Sequence, residues 1–316
     1  MKKTILVLLT LSLLTTAFVG CASSPDDTPK KPAATTATAP DTENPASDFE
    51  YKENNENSKG GIAITKYVGT DTDVIIPSTI DGKTVTVIGQ LAFNGNDTIT
   101  SVIMPDSITM IGTGSFSGCD LLSTVVLSNS LEQIDYEAFA SCKSLSNITL
   151  PDSLTHIGEH AFMNCKSLKH ITIPANCFNS VATGSGIFSR SGLETVEFAE
   201  GVPYIPRSAF FNTNLKEVVI PDSVTHISEG AFQNCEKLEK VTLSKAITSI
   251  EGFAFENTNL KEVVIPGSIK YIFTRAFADC ANLTSITYNG TEAEWNAVEK
   301  GTDWDNKTPD YTIHYQ

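Results

Sequence analysis

The segment Leu145-Ser-Asn-Ile-Thr-Leu-Pro-Asp-Ser-Leu-Thr-His-Ile-Gly-Glu-His-Ala-Phe-Met-Asn-Cys165 decides the fold. Ile148 and Leu150 flank Thr149, the alternation of a short strand with one buried face. Pro151 ends that strand, because proline has no N–H to give to a ladder. A Ser-Leu turn follows, and Ile157 and Phe162 carry the chain back along the opposite face. The same pattern returns in both directions. Its phenylalanine recurs at Phe93, Phe116, Phe139, Phe162, Phe188, Phe210, Phe232, Phe255 and Phe277, with gaps of 22 or 23 residues and one of 26. An isoleucine stands five before most of these, as at Ile88, Ile111, Ile134, Ile205, Ile227, Ile250 and Ile272. Aliphatic pairs such as Val102 and Met104, Val125 and Leu127, or Val218 and Ile220 stand fourteen and twelve before.

No such unit buries its aliphatics alone, so successive units must stack on one another. At a strand spacing of about 4.8 Å, nine rungs make a curved rod on the order of 40 Å long. The quoted segment resembles the BspA-type (Treponema-type) leucine-rich repeat. The stretch Tyr67-Val-Gly-Thr-Asp-Thr-Asp-Val-Ile-Ile-Pro77, with the Thr84-Val-Thr-Val-Ile-Gly89 that follows, is similar to that family's first repeat. Tyr288-Asn-Gly-Thr-Glu-Ala-Glu-Trp295, Thr302-Asp-Trp304 and Thr312-Ile-His-Tyr315 resemble its C-terminal closure. The resemblance spans residues 61–316. The expected fold is a β-rich solenoid, a right-handed leucine-rich repeat rod of about nine rungs of 22–23 residues. It carries short parallel strands on its concave face and a small C-terminal cap over 289–316, where Thr291 to Glu294 fits a capping box. For function, the resemblance implies binding at a cell surface, since members of the family are associated with adhesion to host matrix proteins and other cells.

The N-terminus reads as an address rather than as fold. Lys2 and Lys3 precede an uncharged stretch to Gly20, and Phe18-Val-Gly-Cys21 resembles a bacterial lipobox. Residues 1–20 are therefore expected to be a lipoprotein signal peptide, with Cys21 acylated and seated in membrane lipid. Residues 21–59, rich in Pro, Thr, Ala, Asp and Glu, read as a disordered tether whose function is reach. The repeat domain is expected over 60–288.

Of the 316 residues, 41% are hydrophobic and 22 basic residues face 37 acidic ones, a formal charge of -15. That balance excludes a mostly disordered chain, and it repels nucleic acid. No Cys-x-x-Cys, His-Glu-x-x-His, Gly-x-Ser-x-Gly or phosphate-binding glycine loop occurs, so no metal, cofactor or enzymatic activity is expected.

Cys119, Cys142, Cys165, Cys235 and Cys280 all follow the anchoring phenylalanine by three, and Thr213 and Thr258 take that place in two shorter rungs. They read as one inward Cys/Thr ladder; stacking leaves both buried thiols and disulfides open for the first three. Cys177 lies in the insertion of the long rung, read as a surface loop with an exposed thiol. The outward strand positions make the candidate concave binding strip: Ile103, Val126, Thr149, His170, Thr172, Glu197, Glu217, Val219, Lys240, Thr242, Glu262 and Val264. The expected protein is a non-enzymatic cell-surface lipoprotein that binds a protein or glycan, with an envelope scaffold and a carbohydrate-active enzyme as alternatives.

Overall fold

The computed structural model describes residues 42–54, 60–178 and 184–316. These form a β-solenoid of about eleven turns. Each regular turn contributes two short strands, one to each of two sheets. The first sheet holds the aliphatic pairs, from Asp73–Ile75 through Ser101–Ile103, Thr124–Val126 and their successors to Thr312–Tyr315. Its strands pair in parallel with the next turn, as Val102 does with Val125 and Val218 with Val241. The second sheet lies where the sequence suggested only a return segment. Its strands are two residues long in most turns, such as Met110–Ile111, Gln133–Ile134 and His156–Ile157, and the isoleucine of each points into the core.

Between the sheets runs the aromatic column. Rings of neighbouring anchors stack, with centroids 4.7 Å apart for Phe93 and Phe116 and 5.3 Å for Phe139 and Phe162, well inside the range of favourable offset stacking. The column is longer than the nine phenylalanines. Tyr67 stacks on Phe93 at 5.3 Å and begins it, with Phe49 beyond, and Trp304 meets Phe277 edge-on at 6.1 Å and ends it. Those two aromatics mark the extra turns that a phenylalanine count misses.

Backbone geometry explains why short residues surround each anchor. The phenylalanine N–H donates to the carbonyl preceding the next anchor, from Phe116 to Ala138 at 2.8 Å and from Phe139 to Ala161 at 2.8 Å. Two residues before and two after each anchor the backbone turns left-handed. The second of these positions is Gly95, Gly118, Ser141, Asn164, Arg190, Asn212, Asn234, Asn257 and Asp279 in successive turns. Glycine and asparagine occupy this conformation at least cost.

Both ends depart from the expected boundaries. The tether was expected to reach residue 59, but Phe49–Glu53 is a strand that pairs antiparallel with Ile62–Tyr67. Phe49 is buried and the Asn44 side chain donates to Asp48 and Asp71, so burial and side-chain bonds fix a segment whose composition alone reads as loose. At the other end the cap is itself a turn of the solenoid: Glu299–Lys300 extends the second sheet and Thr312–Tyr315 the first. Ahead of both strands the helix Glu292–Ala297 opens on the capping box of Thr291 and Glu294 and buries Trp295 against Tyr288.

The long rung also differs from expectation. Cys177 is fully buried, as is Phe178 beside it, because this turn fills its core from the insertion itself. Asn179 to Thr183 lie outside the described residues, as do the signal segment, Cys21 and the tether up to Asp41.

Candidate functional site

The outward face of the first sheet follows from strand alternation: with Val125 and Leu127 packed inward, Val126 must face solvent. Val126, Val219 and Val264 remain 49%, 57% and 46% exposed, which is high for β-branched side chains on a sheet. Thr149, His170, Thr172, Glu197, Glu217, Lys240, Thr242 and Glu262 are also exposed, and Ile103 is half-buried. Register brings these residues together in columns. Ile103 lies opposite Val126, Thr172 opposite Glu197, and Val219 opposite Thr242. Polar contacts within the strip are few: Lys240 Nζ donates to Glu217 Oε1 at 2.5 Å, and His170 Nδ1 lies 2.8 Å from Thr195 Oγ1. The Glu217 carboxylate raises the Lys240 ammonium above its ordinary value. Open ion pairs of this kind contribute little stability.

The second sheet carries a concavity that sequence reading missed. A cavity of about 600 Å³ lies over its N-terminal half, floored by Ala63, Val87 and Met110 and by the bare backbone of Gly89 and Gly112. Gln133 and Asp135 bound one end, and Lys52 and Asn54 of the N-terminal hairpin bound the other. Glycine is needed here for packing rather than for ligand access: a Cβ on Gly89 would stand 2.6 Å from the Ile64 carbonyl.

The Cys/Thr ladder is a column of thiols on carbonyls. The Sγ–H of Cys119, Cys142, Cys165, Cys235 and Cys280 donates back one turn, to the carbonyls of Phe93, Phe116, Phe139, Phe210 and Phe255, at 3.0–3.2 Å. Thr213 and Thr258 donate instead to the anchor carbonyl of their own turn, at 3.0 and 2.9 Å, and touch the sulfur of the next cysteine. All six described cysteines are free and buried. Burial pushes the thiols of Cys119 and Cys165 up to about 12 and that of Cys235 to about 11, with Cys142, Cys177 and Cys280 raised as well. Thiols held protonated at neutral pH are poor nucleophiles and poor ligands. One member went unread: Ser191 sits three after Phe188, buried, its hydroxyl unpartnered among the described residues.

Among the described residues no group of three His, Cys, Asp or Glu side chains could hold a metal ion, and no helix is long and apolar enough to cross a membrane.

Comparison with known proteins agrees with this architecture. The family model for the BspA type leucine rich repeat region matches residues 72–183 and 181–297, in six copies. A leucine-rich repeat protein of T. pallidum is similar in structure, with 24% identity, a TM-score of 0.52, and coverage of 83% of this chain and 99% of that one. A leucine-rich repeat protein of Bacteroides ovatus is 21% identical with a TM-score of 0.61, covering 84% of this chain and 77% of that one. No curated protein matches.

Proposed function

The chain belongs to the BspA-type leucine-rich repeat family, and from that premise we propose that it is a non-enzymatic surface protein that captures a macromolecular partner on a sheet face of its solenoid. The partner is a protein or a glycan of a host matrix or a neighbouring cell, and the role is adhesion. Cys21, acylated and held in membrane lipid, anchors the chain outside the cell, and the segment behind it gives the solenoid reach. One observation carries the reading: the outward row of the first sheet leaves Val126, Val219 and Val264 about half exposed among threonines, where polar residues would serve solubility as well. Continuous sheet surfaces of repeat proteins suit extended partners. The cavity over Val87 and Met110 supports a second reading, with the partner on the other sheet.

The test is binding of the full chain to immobilised matrix proteins, mucin and bacterial glycans. A Val126→Lys, Val219→Lys, Val264→Lys variant runs beside it, and a Met110→Lys variant runs in parallel. Saturable binding lost only by the triple variant supports the first sheet; loss only with Met110→Lys moves the site to the second. Binding to nothing on the panel refutes capture and favours an envelope scaffold.

A further inference from the structure

A third surface, the ridge that joins the two sheets along the anchors, carries a site of different chemistry. The chain has three arginines. Arg207 pairs with Glu229, and Arg275 grips Glu256 and Asp279. Arg190 has no carboxylate partner among the described residues; its guanidinium lies 5.9 Å from the centre of the Phe211 ring. Lys166, one turn earlier, also lacks a carboxylate there and donates its ammonium to the Arg190 carbonyl. Many of the other cations on this acidic chain are matched by an acid, whereas Arg190 and Lys166 carry positive charge side by side without one.

Position sharpens the contrast. Arg190 stands two after its anchor, at φ 57°, in the row otherwise filled by Gly, Ser, Asn and Asp. A long β-carbon-bearing side chain in the left-handed region costs about 1 kcal/mol, and no ion pair in the structure offsets it.

The guanidinium borders a depression of about 380 Å³ shared by Met163, Ser189, Ser208, Phe211 and Gln233. Gly186 opens its floor, since a Cβ there would strike the His160 ring at 2.6 Å. Ser189 is buried, with only 6% of the residue exposed, and lines the depression. Two carboxylates flank the site and both are occupied: Glu159 accepts from Ser185, and Glu256 is held by Arg275 and Gln233.

We propose that this depression binds a single acidic sugar residue. Its carboxylate lies on Arg190, its hydroxyls on Ser189 and Ser208, and its apolar face on Met163 and Phe211. A guanidinium fork matches one carboxylate in a bidentate pair. The ring of hydroxyl and amide groups suits a polyhydroxylated body better than an aliphatic one. The surrounding net charge of -15 turns away polyanionic chains and leaves compact, singly charged groups. The site is independent of either sheet face and stands whichever of them holds a macromolecule.

Saturation-transfer NMR on the full chain tests this with glucuronate and N-acetylneuraminate against glucose and N-acetylmannosamine. Saturable binding of the acids and not of the neutral sugars is expected. Arg190→Gln should weaken it roughly tenfold, and Arg190→Lys should restore part of the loss. Ser189→Ala, which leaves every charge in place, should weaken it less. Equal binding of neutral sugars, no response to Arg190→Gln in a variant that melts like the parent, or no binding at all would each overturn the proposal. Tighter binding of a short glutamate peptide than of either acidic sugar would overturn it too. Because none of these residues lies on a sheet face, failure here leaves the Val126 and Met110 variants interpretable.

Discussion

The turns anchored by Phe116, Phe139 and Phe162 are uniform, whereas the turn between Phe162 and Phe188 carries three extra residues. In the uniform region both sheets run unbroken, and ring centroids step by 5.2 and 5.3 Å. Across the long turn the rings still step by 5.3 Å and tilt only 11°. The first sheet's ladder stops at Asn147–Ile148 and restarts as His170–Ile173 paired with Thr195–Phe198. The second sheet's ladder stops at His156–Ile157 and resumes through the single bridge of Ile205 with Ile227. The difference ranks the parts. The aromatic column holds the register, and both sheet ladders yield when residues are inserted.

The strongest way to break this comparison is to remove a ring from each region. Phe139→Ala and Phe188→Ala should each cost about 3–5 kcal/mol, read as a shift in the urea midpoint. If the column is continuous, both variants unfold in one transition with losses that agree within about 1 kcal/mol. Two transitions in Phe188→Ala alone would make the long turn a boundary between separately stable halves.

Alkaline titration bears on the column as a whole. The ladder thiols and Cys177 are raised above their ordinary value of 9.0 by burial. From about pH 9 upward the folded chain therefore holds protons that the unfolded chain releases. Stability should be flat below pH 9 and fall steadily as pH rises toward 12, followed by circular dichroism in urea at fixed pH. A flat profile to pH 11 would mean that the thiols are not buried.

The smallest effect separates the two kinds of buried cysteine. In Cys142→Ser a hydroxyl inherits the bond to the Phe116 carbonyl, much as Thr213 bonds to that of Phe210. It should cost under about 1 kcal/mol. Cys177 makes no bond to an anchor carbonyl among the described residues, so Cys177→Ser buries a poorly satisfied hydroxyl and should cost about 1–3 kcal/mol. Equal costs would place Cys177 in an environment like that of the ladder.

The legibility of the molecule follows the same ranking. The column and the first sheet were readable because Phe, Ile and the Val-x-Leu pairs repeat at fixed spacing. The end turns were not, because Tyr67 and Trp304 replace the phenylalanine that the count relied upon. The second sheet hid because strands such as Gln133–Ile134 are too short to display alternation. Phe49–Glu53 hid inside polar surroundings, because Phe49 is its one buried side chain. Cys177 was misplaced because glycine and serine nearby suggest a loop, and only packing shows Phe178 turned inward. Of the candidate surfaces, the outward row holding Val126, Val219 and Val264 was legible from alternation alone. The ridge beside Arg190 was not, since it depends on which cations lack a partner in three dimensions.

The bonds from each anchor N–H to the next turn's carbonyl span 21 to 27 residues, and few bonds in the solenoid reach much further. Each turn is thus assembled against the one already made, and the strand Phe49–Glu53 supplies the first template. A chain delivered slowly from its N-terminus could crystallise onto itself turn by turn. It would expose at any moment one unfinished edge, and it would never wait for distant sequence to arrive.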